Sequence, residues 1–185
     1  MSRKALFLDR DGVINVNYGY VHKIKDCDFI DGIFDLTRAA SAKDYVICII
    51  TNQAGIGRGY YSEEDFHSLT DWMCARFRDE GVTISKVYFS PYHPVHGVGK
   101  YKKNHYSRKP QPGMLLQAID DFNIQADYSI LIGDKATDIQ AAVAAGIGTN
   151  LYLGEVDISQ DVCIDDYTRI SSLAEAEVFL TDELR

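Results

Sequence analysis

Two carboxylates, Asp9 and Asp11, close the apolar run in LFLDRDGVIN, with Gly12 directly behind them. Unpaired charge held away from water is costly or is neutralised by a shifted pKa, so a cation, a hydrogen-bonded turn or open solvent must compensate them. Two further apolar runs end in polar clusters: VICIITN delivers Thr51 and Asn52, and ILIGDK delivers Asp134 and Lys135. Asp9, Asp11 and Asp134, with no Cys or His beside them in sequence, make a hard oxygen environment suited to Mg²⁺ with retained waters. Mg²⁺ in turn calls for a phosphate, whose oxygens are usually met by a hydroxyl such as that of Thr51, by backbone N–H groups and by a lysine. A lone Asp-x-Asp reads first as a turn or a helix cap. Three polar strand ends on one edge read as a site.

Bringing these ends together is a task for a parallel sheet. Short apolar runs alternate with longer segments of helical period, the pattern of βαβ units in an α/β fold. Strands are expected over 4–8, 46–51, 86–89, 129–132 and 150–153, and helices over 33–43, 63–80, 114–122, 138–145 and 172–180. Ser62 followed by acids is a good N-cap, and Gly81 and Gly146 are plausible stops. In open parallel sheets ligands bind outside the carboxyl ends of the strands, where all three clusters fall. The long irregular stretch 90–113 holds all four prolines, and a loop of that length in a compact domain is functional or disordered.

The chain has 185 residues, 46% of them hydrophobic, enough for one domain over 1–185 with an ordinary core. A formal charge of -8 argues against a general nucleic-acid binder, whose footprint is basic. Yet residues 100–109 carry five Lys or Arg and no acid, so a locally positive loop could meet a small anion. Cys27, Cys48, Cys74 and Cys163 are scattered without CxxC spacing and read as reduced thiols, Cys48 and Cys74 in the core. No segment approaches the roughly 20 apolar residues of a membrane span, and the cytoplasm is the expected address.

DRDGVIN, TNQAGIGRG, RKPQPGM and GDKATDIQAA resemble, in that order, the four motifs of the haloacid dehalogenase (HAD) superfamily of phosphohydrolases. The likeness runs from about residue 4 to about residue 153 and is narrowest to the superfamily's heptose-bisphosphate phosphatases, with histidinol-phosphate phosphatases as the alternative. It implies a three-layer αβα sandwich around a mostly parallel, doubly wound sheet with a minimal cap, and a monomer is expected. It also implies hydrolysis of the 7-phosphate of a heptose 1,7-bisphosphate, a step toward nucleotide-activated heptose for lipopolysaccharide or capsule.

Residue by residue, the resemblance makes Asp9 the nucleophile that becomes an aspartyl-phosphate and Asp11 the acid and base. Mg²⁺ is held by the Asp9 and Asp134 carboxylates and the Asp11 carbonyl, while Thr51 and Lys109 bind the transferring phosphoryl group. Lys135 adds positive charge, and Asp138 one helical turn later is placed to orient it. Specificity falls to Asn17, Tyr20, Asn52, Gln53 and Arg108, with Arg108 a bidentate fork for the distal phosphate. Asn17 stands where the family usually has Asp, and Ala54 where it usually has Ser, which loosens the substrate assignment without touching the chemistry. The bland readings are a helix cap at Thr51-Asn52, a solvated pair at Lys135 and Asp138, helix core at Trp72 and Met73, and ordinary histidines at His22 and His67. A non-catalytic phosphosugar-binding scaffold is a further reading, opposed by the intact Asp9, Asp11, Lys109 and Asp134.

Many relatives carry a structural Zn²⁺ in the loop 90–110, on a Cys-x-His pair and a Cys-x-Cys pair. Aligned on Pro91, Pro94 and RKP, this chain offers Ser90, Tyr92, His105 and Ser107. One ligand remains where four are wanted, so a zinc-free loop is expected. An improvised site from His93, His96 and His105 is disfavoured by the flanking lysines. The loop's order is then expected from proline stiffness, from packing of Tyr92, Tyr101 and Tyr106, or from substrate phosphate.

Overall fold

The computed structural model describes residues 3–182. The elements run β1 (Ala5–Leu8), α1 (Ile33–Ala42), β2 (Val46–Asn52), α2 (Ala54–Gly57), α3 (Glu63–Asp79), β3 (Lys86–Ser90), α4 (Gly113–Phe122), β4 (Ile130–Gly133), α5 (Ala136–Ala144), β5 (Thr149–Leu153), β6 (Thr168–Ile170) and α6 (Leu173–Ala176). The strands form one 6-stranded sheet in the order β3-β2-β1-β4-β5-β6, and every pairing is parallel.

The alternation of side chains along each strand sorts the core into two layers. Leu6, Leu8, Ile47, Ile49, Ile130 and Ile132 face α1, α3 and α6, meeting Leu36, Ala40, Leu69, Met73, Phe77 and Leu173. Phe7, Val46, Cys48, Ile50 and Leu131 face the other way, onto Met114, Leu115 and Ala118 of α4 and Ile139, Ala141 and Ala142 of α5. Both strand faces are therefore apolar, as a sheet covered on two sides requires, and each fully buried large side chain contributes about 1.5–3 kcal/mol. Met73 is core as expected, while Trp72 packs partly buried on the Phe29 ring.

Three details depart from the expected elements. β6 is an added edge strand of three residues, half exposed, too short for a period of 2 to show. α2 is one turn built on AGIG, whose two glycines read as a loop. The segment expected as a helix over 172–180 divides into α6 and a 3₁₀ turn at Glu177–Phe179. No second layer stands over the strand ends among the described residues. The insertion after β1 holds a single 3₁₀ turn at Ile24–Asp26, and the long stretch after β3 holds another at Gly99–Tyr101.

Candidate active site

β2, β1 and β4 are neighbours in the sheet, so their carboxyl ends place Thr51, Asp9 and Asp134 side by side where the strand order reverses. Asp9 continues β1, its N–H donating to the Ile132 carbonyl at 3.0 Å. The lysine that meets it comes from far along the chain. Lys109 is 3% exposed, and its Nζ lies 2.9 Å from Asp9 Oδ1, 2.6 Å from Asp138 Oδ1 and 2.8 Å from the Ile50 carbonyl. Its main chain is clamped by the Asn52 amide, which donates to the Lys109 carbonyl at 3.0 Å and accepts the Lys109 N–H at 3.1 Å.

This buried trio sets the electrostatics. Burial acts to lower the Lys109 pKa, but Asp138 and Asp9 more than reverse it, holding the ammonium above its ordinary value. Burial pushes the Asp9 carboxyl up, with Lys109 pulling against it. Asp138 has both oxygens committed, Oδ1 to Lys109 and Oδ2 to the Lys135 backbone N–H at 3.0 Å, where it caps α5. The expectation that Asp138 orients Lys135 is thus corrected: it orients Lys109. Lys135 is over half exposed, with its Nζ 3.7 Å from Asp134 Oδ1.

Asp11 sits within a ring of donors. Arg10, nearly fully buried, grips it through Nε at 3.1 Å and Nη2 at 2.9 Å, and Nη2 also donates to the Val21 carbonyl at 2.6 Å. Asn15 Nδ2 at 3.1 Å and Gln53 Nε2 at 3.0 Å complete the set. Gln53 also donates to Thr51 Oγ1 at 2.8 Å and accepts from the Tyr61 hydroxyl at 2.6 Å. Buried and fully engaged, Gln53 fixes Asp11 and Thr51 from behind rather than facing open space, while Asn52 clamps the Lys109 main chain from the wall of the cleft. Sequence reading took both for substrate contacts, because their partners lie 42 and 57 residues away.

Asp9, Asp134 and Asp138 bring one oxygen each within 4.8 Å of one another. With Asp138 committed elsewhere, Asp9 and Asp134 are the pair available to a divalent cation. Asp134 Oδ1 is buried without a hydrogen bond, and its carboxyl is pushed up to about 7 by burial and then by the charge of Asp9. A buried oxygen that accepts no hydrogen bond, held beside a like charge with the nearest ammonium, of Lys135, at 3.7 Å, is what a hard cation relieves, so these residues fit Mg²⁺. Gly12 makes room for this: at φ +100°, a Cβ there would stand 2.1 Å from Asp134 Oδ2.

The small cleft over these groups is lined by Asp9, Asp11, Asn52, Lys109, Lys135, Thr137 and Asp138. Thr137 is the member that sequence reading did not single out. The outer residues stand further off. Asn17 is exposed, its Oδ1 accepting the Gly19 N–H at 3.1 Å. Tyr20 is 44% exposed, edge-on to Tyr60 at 4.8 Å and with the Arg58 guanidinium 5.8 Å from its ring centre. Arg108 is half-buried and donates to the Tyr92 carbonyl at 3.1 Å. Burial and then the nearby Arg58 charge hold its guanidinium below its ordinary value, and Arg58 Nε is buried without a partner. Two cations thus crowd one spot beside Tyr20.

The HAD-hydrolase-like family model matches residues 106–175. The chain is 51% identical over 178 residues to a D-glycero-alpha-D-manno-heptose-1,7-bisphosphate 7-phosphatase of Burkholderia mallei, across 96% of this chain and 89% of that one. It is 50% identical to a D-glycero-beta-D-manno-heptose-1,7-bisphosphate 7-phosphatase of Vibrio cholerae, across 83% of this chain and 82% of that one. A D,D-heptose 1,7-bisphosphate phosphatase from B. bronchiseptica, solved with magnesium and phosphate, superposes with a TM-score of 0.83 at 22% identity, covering 95% of this chain and 96% of that one. Strand-end carboxylates, a buried lysine between them and near-full-length identity of this order converge: the chain belongs to the HAD-like phosphatases, in the family that holds the heptose-bisphosphate 7-phosphatases.

Proposed function

We propose that the protein is a Mg²⁺-dependent phosphatase that removes the 7-phosphate of D-glycero-D-manno-heptose 1,7-bisphosphate through an aspartyl-phosphate on Asp9. The observation that carries this reading is the Lys109 ammonium wedged between Asp9 and Asp138 at 2.9 and 2.6 Å. It neutralises the nucleophile without occupying both its oxygens, and it faces the cleft where a phosphoryl group would sit.

Asp9 attacks phosphorus as the bond to the C7 oxygen breaks, and Asp11 gives that oxygen its proton. A water then attacks phosphorus as its bond to the Asp9 oxygen breaks, releasing inorganic phosphate and the Asp9 carboxylate, and Asp11 takes the water's proton. The donors of Arg10, Asn15 and Gln53 suit this second step, since they hold the Asp11 carboxylate as an acceptor. Thr51 Oγ1, steadied by Gln53, would meet a phosphoryl oxygen, and Lys109 Nζ, its three donors held by Asp9, Asp138 and the Ile50 carbonyl, would set its positive charge beside the group. Asp9, Asp134 and the Asp11 carbonyl would hold Mg²⁺, which when bound offsets repulsion between these carboxylates and the phosphate dianion. Arg108, with Arg58 beside it, would take the distal phosphate at C1.

The test is phosphate release with Mg²⁺ across a panel holding both anomers of the heptose bisphosphate, histidinol phosphate and simple sugar monophosphates. The heptose bisphosphate is expected to give the highest kcat/KM. A clear preference for histidinol phosphate, or no release from any sugar phosphate, overturns the assignment.

A further inference from the structure

Arg108 is delivered by the irregular stretch between β3 and α4, and four side chains at the base of that stretch converge. Ser90, fully buried at the end of β3, and Ser107, in a turn on the returning limb of the loop, share a hydroxyl contact of 3.0 Å. The Ser107 hydroxyl also lies 2.7 Å from His105 Nδ1, and the Ser107 N–H donates to the same nitrogen at 3.1 Å. The His105 ring stacks on Tyr92 at 3.9 Å between centres and 21° between planes. Tyr92 then returns to the arginine, its carbonyl accepting from Arg108 Nη1 at 3.1 Å, while the Arg108 N–H donates to the His105 carbonyl at 2.9 Å.

The zinc that the family resemblance implies for this loop does not fit these groups. A structural zinc wants four thiolate or imidazole ligands. Here the two hydroxyls are spent on each other, Tyr92 presents a ring face, and His105 Nδ1 is already engaged by Ser107. Lys103 Nζ stands 4.6 Å from the Tyr92 ring centre, a positive charge where a cation would have to enter. The other histidines supply no set of four either: the His93 and His96 rings lie 4.8 Å apart, but His93 Nδ1 is spent accepting the N–H groups of Val95 and His96. Burial and then Lys103 hold His105 below its ordinary pKa, which favours the neutral ring whose Nδ1 meets Ser107. The packing expected of Tyr92 and Tyr101 is present, with rings 6.0 Å apart, but Tyr106 stays 57% exposed and contributes no ring to it.

We infer that Ser90, Tyr92, His105 and Ser107 form a metal-free clasp that positions Arg108 for the distal phosphate of the substrate. The inference rests on the heptose-bisphosphate reading for the identity of that phosphate, but the clasp itself does not. Lys109 is outside its control, because Asn52, Asp9, Asp138 and the Ile50 carbonyl hold that residue independently. The clasp is therefore a positioning device for specificity, not for the chemical step.

Three measurements on the full chain test it. Untagged wild-type protein is expected to carry well under one equivalent of zinc, and a zinc-selective chelator to leave both its melting temperature and its rate unchanged. A tightly held equivalent whose removal lowers either overturns the clasp. Ser107→Ala removes one hydrogen-bonded link, and is expected to raise KM for the bisphosphate about three- to tenfold while kcat on a sugar monophosphate stays within about twofold. An unchanged KM, or an equal fall in kcat on both substrates, contradicts the assigned role. Finally, the variant Ser90→Cys, Tyr92→His, His105→Cys, Ser107→Cys is expected to take up one zinc and to retain the low KM. A folded variant that binds none shows that the four side chains do not converge. Loss of all phosphatase activity in the wild type would instead sink the functional reading, and the zinc measurements would still judge the clasp.

Discussion

Lys109 is the residue on which the site's electrostatics turn. Replacing it by Ala leaves Asp9 and Asp138 as two buried, unpaired carboxylates, and breaking a buried ion pair in this way costs about 3–5 kcal/mol. Lys109→Ala is therefore expected to lower the melting temperature and to abolish turnover on every substrate, whereas Arg108→Ala lowers kcat/KM for bisphosphates and spares monophosphates. Equal losses for both variants on all substrates would refute this division, and steady-state kinetics with thermal denaturation decide it. Asp9→Asn is expected to leave no measurable turnover, and Asp11→Asn to slow it by about 10² or more, since an amide can neither accept the phosphoryl group nor transfer the proton. A loss under tenfold for Asp11→Asn would remove it as acid and base. The acids themselves were legible in the sequence, because a carboxylate ending an apolar strand demands a compensating charge. The roles of Asn52 and Gln53 were not. Their side chains turn inward to partners distant along the chain, and no local pattern announces that.

At the scale of elements, the site exists because β1, β2 and β4 are adjacent and end together. The strand runs and the helical periods gave away those three elements and their order of use, since strands buried on both faces read as continuous apolar stretches. What stayed hidden were pieces too short for a period to show, β6 and α2, and the break of the last helix into two turns. Close approach between elements was equally silent: Gly12 lets the turn after β1 pass over Asp134, and Gly133 lets the end of β4 pass Asp138, whose Cβ would lie 2.3 Å from an added one. Gly12→Ala is expected to displace the Asp134 carboxylate and weaken Mg²⁺ dependence, raising the metal concentration for half-maximal rate at least about tenfold with the fold retained. Circular dichroism alongside a Mg²⁺ titration checks this. An unaltered titration would show that Asp134 does not hold the cation.

For the whole molecule, the carboxylates of Asp9 and Asp134 meet at one sheet edge, where they oppose one another until a divalent cation arrives. Asp134, raised to about 7 by burial and then by Asp9, keeps in the folded state a proton that the unfolded chain would release. Its stabilising contribution is complete below the unfolded carboxylate pKa and is lost as pH rises through about 7. Without Mg²⁺ the melting temperature is expected to fall between roughly pH 4 and pH 7 and to level off above that, and saturating Mg²⁺ to remove most of that fall by binding the ionised form. Parallel curves with and without the metal would place Mg²⁺ elsewhere. No helix of the described residues is long and apolar enough to cross a membrane. Beyond the cleft at the strand ends, Tyr20, Arg58 and Arg108 stand together on outer loops, the place where the proposed function puts the choice of phosphate. The direct measurement is a ³¹P NMR time course on D-glycero-D-manno-heptose 1,7-bisphosphate with Mg²⁺. The primary phosphate at C7 is expected to disappear into inorganic phosphate while the anomeric phosphate persists, and loss of the anomeric signal first, or no change at all, would contradict the account.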